Sequence, residues 1–109
     1  MNTKKKNITS AQFAKKFGLV EITFASLLKN HRACEELTQA ELARTLNIPV
    51  SHLSDIENER KFVSIERAIN FAKLLKDSEK YFVKIAINDL LRRAGCDFEI
   101  ELKDSSQAS

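Results

Sequence analysis

The sequence predicts an all-α bundle that ends in one short β-strand. Upstream of Gly95, apolar residues recur at three- and four-residue intervals, the spacing that gathers them on one side of a helix. Residues able to cap helices punctuate those stripes. After Gly95 the period changes. In DFEIEL, residues 97–102, Phe98, Ile100 and Leu102 alternate with Asp97, Glu99 and Glu101, as in a half-buried strand.

A chain of 109 residues suits one domain with a modest core that needs no staples. Thr9-Ser10-Ala11-Gln12 fits a capping box and opens a first helix over Thr9–Phe17, which Gly18 closes. A second helix is expected over Val20–Ala33, with Val20, Phe24, Leu27, Leu28 and His31 on one face. Thr38-Gln39-Ala40-Glu41 is another capping box and opens a helix to about Leu46. Asn47-Ile48-Pro49 interrupts it. Pro49 starts the next helix, to about Asn58, because a first turn does not need the missing N–H. Ser64 caps a helix to about Leu75, buried through Ile65, Ala68, Ile69, Ala72 and Leu75. Asp77 or Ser78 opens the last helix, and Gly95 ends it.

That last helix carries Tyr81, Phe82, Val83, Ile85, Ala86, Ile87, Leu90 and Leu91, more apolar circumference than one packing face requires. The strand after it cannot satisfy its own backbone. Surplus face and lone strand together call for a partner surface. The expected answer is a second copy, with strands 96–102 paired antiparallel about a two-fold axis.

Composition excludes several classes. No apolar run is long enough to span a bilayer, so a cytoplasmic protein with no membrane association is expected. Cys34 and Cys96 have no Cys-x-x-Cys spacing or neighbouring ligand cluster, and are expected to be reduced, mostly buried thiols. No metal, cofactor or enzymatic chemistry is expected, since neither a phosphate loop nor a nucleophile–His–acid order is present. Net charge is only +3, but residues 1–33 carry six Lys and one Arg against Glu21 alone. Nucleic acid would therefore be attracted mainly by the amino-terminal third and by local basic spots. MNTKKK reads equally as a solvated tail or as an arm that touches phosphates.

The functional unit lies in LTQAELARTLNIPVSHLSDIENE, residues 37–59. Leu42, Ala43 and Leu46 form one inward stripe, and Ile48, Leu53 and Ile56 form another after the break. Asn47 suits the positive φ of a tight turn, and Ala43 is small where two axes would cross. Two short helices crossing steeply through a tight turn make a helix-turn-helix.

Through LTQAELA at 37–43, LSDIEN at 53–58, and Arg32 seven residues before Gln39, the sequence resembles the Xre family of lambda-repressor and Cro-like DNA-binding domains over about residues 22–76. The resemblance implies a five-helix, usually dimeric domain whose recognition helix, here Pro49–Asn58, enters the major groove of a palindromic operator. It implies base contacts from Val50, Ser51 and Asp55, and phosphate contacts from Gln39, His52 and Asn58. Arg60 and Lys61 are added as cations within reach of phosphate. Chemistry permits the base contacts: Val50 can touch a thymine methyl, Ser51 can donate or accept, and Asp55 can accept from a cytosine amino group. Asp55 is almost as well suited to orienting a basic neighbour. Arg32 and Glu57 match a structural ion pair of the family. The chain departs from the pattern at Glu36 and Glu59, where glycine is usual, and at Val63, where proline is frequent. Asn58 is expected to take over the left-handed turn from Glu59.

The chain thus divides into a basic flexible arm (1–8), a helix-turn-helix domain with an extra amino-terminal helix (9–76), a dimerisation helix and strand (77–103) and a disordered tail (104–109). The expected dimer interface comprises Tyr81, Phe82, Ile85, Leu90, Phe98, Ile100 and Leu102. The leading function is a sequence-specific transcriptional repressor, with an autoregulating antitoxin and its cognate toxin as a variant. The alternative is an interaction module that keeps the fold, binds DNA weakly or not at all, and docks a partner through strand 96–102.

Overall fold

The computed structural model describes residues 22–98 and 100–105. The expected helix Thr9–Phe17, the basic arm and most of the tail lie outside them. The described residues form five helices: α1 (Phe24–Glu35), α2 (Gln39–Leu46), α3 (Val50–Glu57), α4 (Ile65–Leu75) and α5 (Glu79–Arg93).

The amino-terminal caps explain the starts. Thr38, Ser64 and Ser78 cap α2, α4 and α5 with their hydroxyl oxygens, as the sequence predicts. α1 starts at Phe24 rather than Val20, because Thr23 is extended and caps it. The Thr23 hydroxyl accepts from the Ser26 N–H at 3.1 Å, and the Ser26 Oγ accepts from the Thr23 N–H at 2.9 Å. A carboxylate oxygen of Asp89, 65 residues away on α5, accepts from the Phe24 N–H at 2.9 Å. A negative charge there opposes the positive end of the helix dipole and ties α5 to α1.

Four helices end through a residue in the left-handed region: Glu36 (φ 57°), Asn47 (63°), Glu59 (60°) and Lys76 (57°). In each, the next N–H reaches back to a carbonyl five residues earlier, as from Leu37 to Arg32 at 2.8 Å and from Arg60 to Asp55 at 2.8 Å. The expectation for Asn58 is corrected. Asn58 keeps φ −98° and donates its side-chain amide to the Ser54 carbonyl at 2.8 Å, and Glu59 takes the left-handed turn. Turning one residue earlier would unwind the end of α3, where Glu57 is held by hydrogen bonds from Arg32.

Phe24, Leu28, Leu42, Leu46, Leu53, Ile56, Phe71 and Phe82 form the fully buried centre. The Phe24 ring meets Phe82 edge-on at 5.6 Å and tilts against Phe71 at 6.3 Å, a favourable arrangement for aromatic rings. The buried stripe of α4 is Ala68, Phe71 and Ala72; Ile65, expected inside, is 43% exposed. The larger Phe71 takes the inward position, which rotates Ile65 toward solvent.

α5 resolves its surplus apolar face in two directions. Phe82, Ile85 and Ala86 turn into the core. This corrects the assignment of Phe82 and Ile85 to a dimer surface: α5 needs them to close over α1 and α4. Along another side of α5 the carboxy-terminal segment runs back antiparallel. Asn88 donates to the Ile100 carbonyl at 3.3 Å and accepts from the Ile100 N–H at 2.8 Å, while Lys84 pairs with Glu101 and Lys80 with Asp104. No strand forms among the described residues; one side-chain amide takes both backbone bonds of Ile100. Cys34 is exposed and Cys96 half-buried, so the expectation of mostly buried thiols is corrected as well.

Candidate nucleic-acid interface

α3 buries Leu53, Ile56 and Glu57 and turns Val50, Ser51, Ser54, Asp55 and Asn58 outward. Val50 is 46% exposed. Pro49 starts the helix without a side chain able to accept, so the first N–H groups of α3 are left uncapped by any side chain. Ser51 beside them is exposed. Ser54 shares this face, and the sequence reading missed it, although 50, 54 and 58 repeat at the four-residue interval of a helix face.

Behind this face is a charged anchor. Glu57 is 2% exposed, the one buried charged residue among those described. It accepts from Arg32 Nε and Nη2, each at 2.9 Å, and from Gln39 Nε2 at 2.9 Å. Arg32 also donates to the Leu37 carbonyl at 3.2 Å. Burial pushes the Glu57 carboxyl up, but these hydrogen bonds and the charges of Arg32 and Lys29 outweigh it and hold Glu57 below the usual carboxylate range. The network binds α1, the start of α2 and the end of α3 into one frame. It also orients Gln39: one amide hydrogen goes to Glu57, which leaves the second free to donate to a phosphate. A phosphate at this helix start would be met by backbone N–H groups beside it.

On the opposite flank, Asp55 accepts from Arg60 Nε at 3.0 Å and lies 3.8 Å from Lys61 Nζ. Its carbonyl also receives the N–H of Arg60 at 2.8 Å and of Lys61 at 3.3 Å. Asp55 therefore organises the two cations in the free chain, and its carboxylate keeps acceptor sites that a base could use. His52 is half-buried, with Nε2 2.8 Å from Arg67 Nη1. A guanidinium only donates, so the neutral His52 ring accepts from it; Nδ1 lies 3.3 Å from the same Arg67 nitrogen. Burial, then the charges of Arg67 and Lys61, hold its pKa below the ordinary histidine value, although Asp55 pulls the other way.

His52, Arg60, Lys61, Phe62, Ser64 and Arg67 line an open cleft of about 500 Å³ beside α3. Its wall is cationic, and Arg67 is a member that the sequence reading did not single out. Only the fold reveals it, since fifteen residues separate it from His52. Phosphate-sized anions suit such a cleft.

A family model for helix-turn-helix domains matches residues 28–82, half of the chain. The protein belongs to this family, the Xre and lambda-repressor-like helix-turn-helix domains, whose members are DNA-binding transcription regulators. No curated protein and no solved structure matches the chain. No described helix is long and apolar enough to cross a membrane.

Proposed function

We propose that the protein is a sequence-specific repressor that binds a palindromic operator as a homodimer inside the cell, with the outward face of α3 in the major groove. The observation that carries this is the make-up of that face: exposed Val50 and Ser51 at an uncapped helix start, with Arg60, Lys61 and Arg67 on the flank. Val50, Ser51 and Asp55 contact bases; His52, Asn58, Arg60 and Lys61 stand nearest the backbone, with Gln39 at the α2 start. The anchor of Arg32, Gln39 and Glu57 supports precise reading, because a base-contacting helix must be held to a fraction of an ångström.

The dimer surface is drawn from Tyr81, Leu90, Phe98, Ile100 and Leu102. Phe98 is 63% exposed, and Ile100, two residues on, is pinned to Asn88. The same feature favours the rival, docking of a different protein, and a toxin recognised by an antitoxin would be one such partner. Selection of binding sites from random duplex DNA at low salt tests the repressor reading. A preferred palindromic site supports it. Absence of any preferred motif leaves the interaction module.

A further inference from the structure

The loop between α3 and α4 is held from a third helix. Arg93, the last residue of α5, lays its guanidinium over the Phe62 ring at 4.2 Å and donates from Nη2 to the Glu59 carbonyl at 2.9 Å. The Glu59 carboxylate lies 3.7 Å from both Arg92 and Arg93. Arg93 Nε is buried, without a partner among the described residues. An arginine placed at the expense of one of its donors is fixed by its other contacts, the stack and the carbonyl bond.

The segment so gripped is the one that carries Arg60 and Lys61. Glu59 sits at φ 60°, which side chains other than glycine and asparagine disfavour, and Phe62 is 53% exposed. Neither residue is secured by the core. From the α3 side, only the backbone bonds to Asp55 and Ile56 and the Asp55 ion pairs hold the turn. We propose that Arg93 is a positioning residue for DNA binding: by clamping Glu59 and Phe62 it keeps Arg60 and Lys61 beside α3, where both reach the DNA backbone together. Lysine does not replace it, because a planar guanidinium stacks on a ring and donates sideways at once, and a point charge does not. This inference rests on the reading of the loop as a phosphate contact.

The test uses the full chain and the slope of log affinity against log salt, which counts the phosphates neutralised. Arg93→Lys is expected to weaken selected and random duplexes alike, by about ten-fold, and to flatten the slope by about one unit per protomer, without changing the preferred sequence. In an Arg60→Ala, Lys61→Ala background, the same change adds no further flattening. Loss of thermal stability with an unchanged slope shows a purely structural role and overturns the proposal, even where Arg60→Ala, Lys61→Ala flattens the slope. If that double variant itself leaves the slope intact, the phosphate-contacting reading of the loop falls and takes the proposal with it. Should Arg93→Ala fold poorly, Arg93→Lys, which keeps charge and stem, still decides.

Discussion

Glu36 shows how much stability one residue can hold back. Its φ of 57° closes α1, and a left-handed side chain costs roughly 1–2 kcal/mol relative to the right-handed region. Glycine escapes that cost but gives up chain entropy. Glu36→Gly is therefore expected to stabilise the fold by about 0.5–1 kcal/mol in urea unfolding, and Asn47→Gly by less, since asparagine tolerates the region. His52 supplies a second residue-level expectation. Its folded pKa lies below the ordinary value, so the unfolded chain binds more protons as pH falls, and stability present above that value is lost below it. Unfolding measured from pH 7 to pH 5 should show a decline that His52→Gln reduces. An identical decline in the variant would place the titration elsewhere. At this scale the sequence was legible where a motif constrains a side chain, as for Arg32 and Glu57. It was mute on Arg67 and Arg93, whose partners lie fifteen and thirty-four residues away and become neighbours only when helices pack.

Among the elements, the anchor at Glu57 joins three helices, so its removal should be felt as a loss of mutual placement. Arg32→Ala strands a buried carboxylate and is expected to cost about 3 kcal/mol, and a double-mutant cycle with Glu57→Ala should show strong coupling. Additive losses would contradict the frame described. The same carboxyl, held below its ordinary range, contributes stability that is present above the usual glutamate value and fades as pH drops through it. Helix boundaries were largely legible because Thr38, Ser64, Ser78 and Gly95 are strong local signals. The start of α1 was not. Thr23 pairs with Ser26 rather than with a glutamate or glutamine, and Asp89, which accepts from the Phe24 N–H, is remote. The alternating pattern of 97–102 predicts a strand and none forms among the described residues, because a two-residue period says nothing of what accepts its hydrogen bonds. Here Asn88 does.

For the whole molecule, the proposed dimer links the far end of α5 to the spacing of two α3 helices. Truncation after Gly95 removes the segment pinned by Asn88 and is expected to yield a monomer by sedimentation, with operator affinity reduced though no base contact is touched. A truncated protein that stays dimeric and binds undiminished would show that the segment has no part in assembly. Monomeric full-length protein at micromolar concentration would instead favour a different partner on the Phe98 edge. The surplus of α5 was legible in sequence as a quantity but not as a direction. Phe82 and Ile85 were needed inside, and helical periodicity cannot decide which of two apolar faces meets the core.

The central claim is that the outward face of α3 reads base edges, and parallel binding-site selections with the parent chain and Ser51→Ala test it most directly. The parent is predicted to return two half-sites about 34 Å apart, centre to centre, one for each recognition helix of the dimer. Ser51→Ala is predicted to keep that spacing and lose about 1–3 kcal/mol of preference at the same one or two base pairs in each half. The same motif from both proteins, or none from either, would contradict the claim.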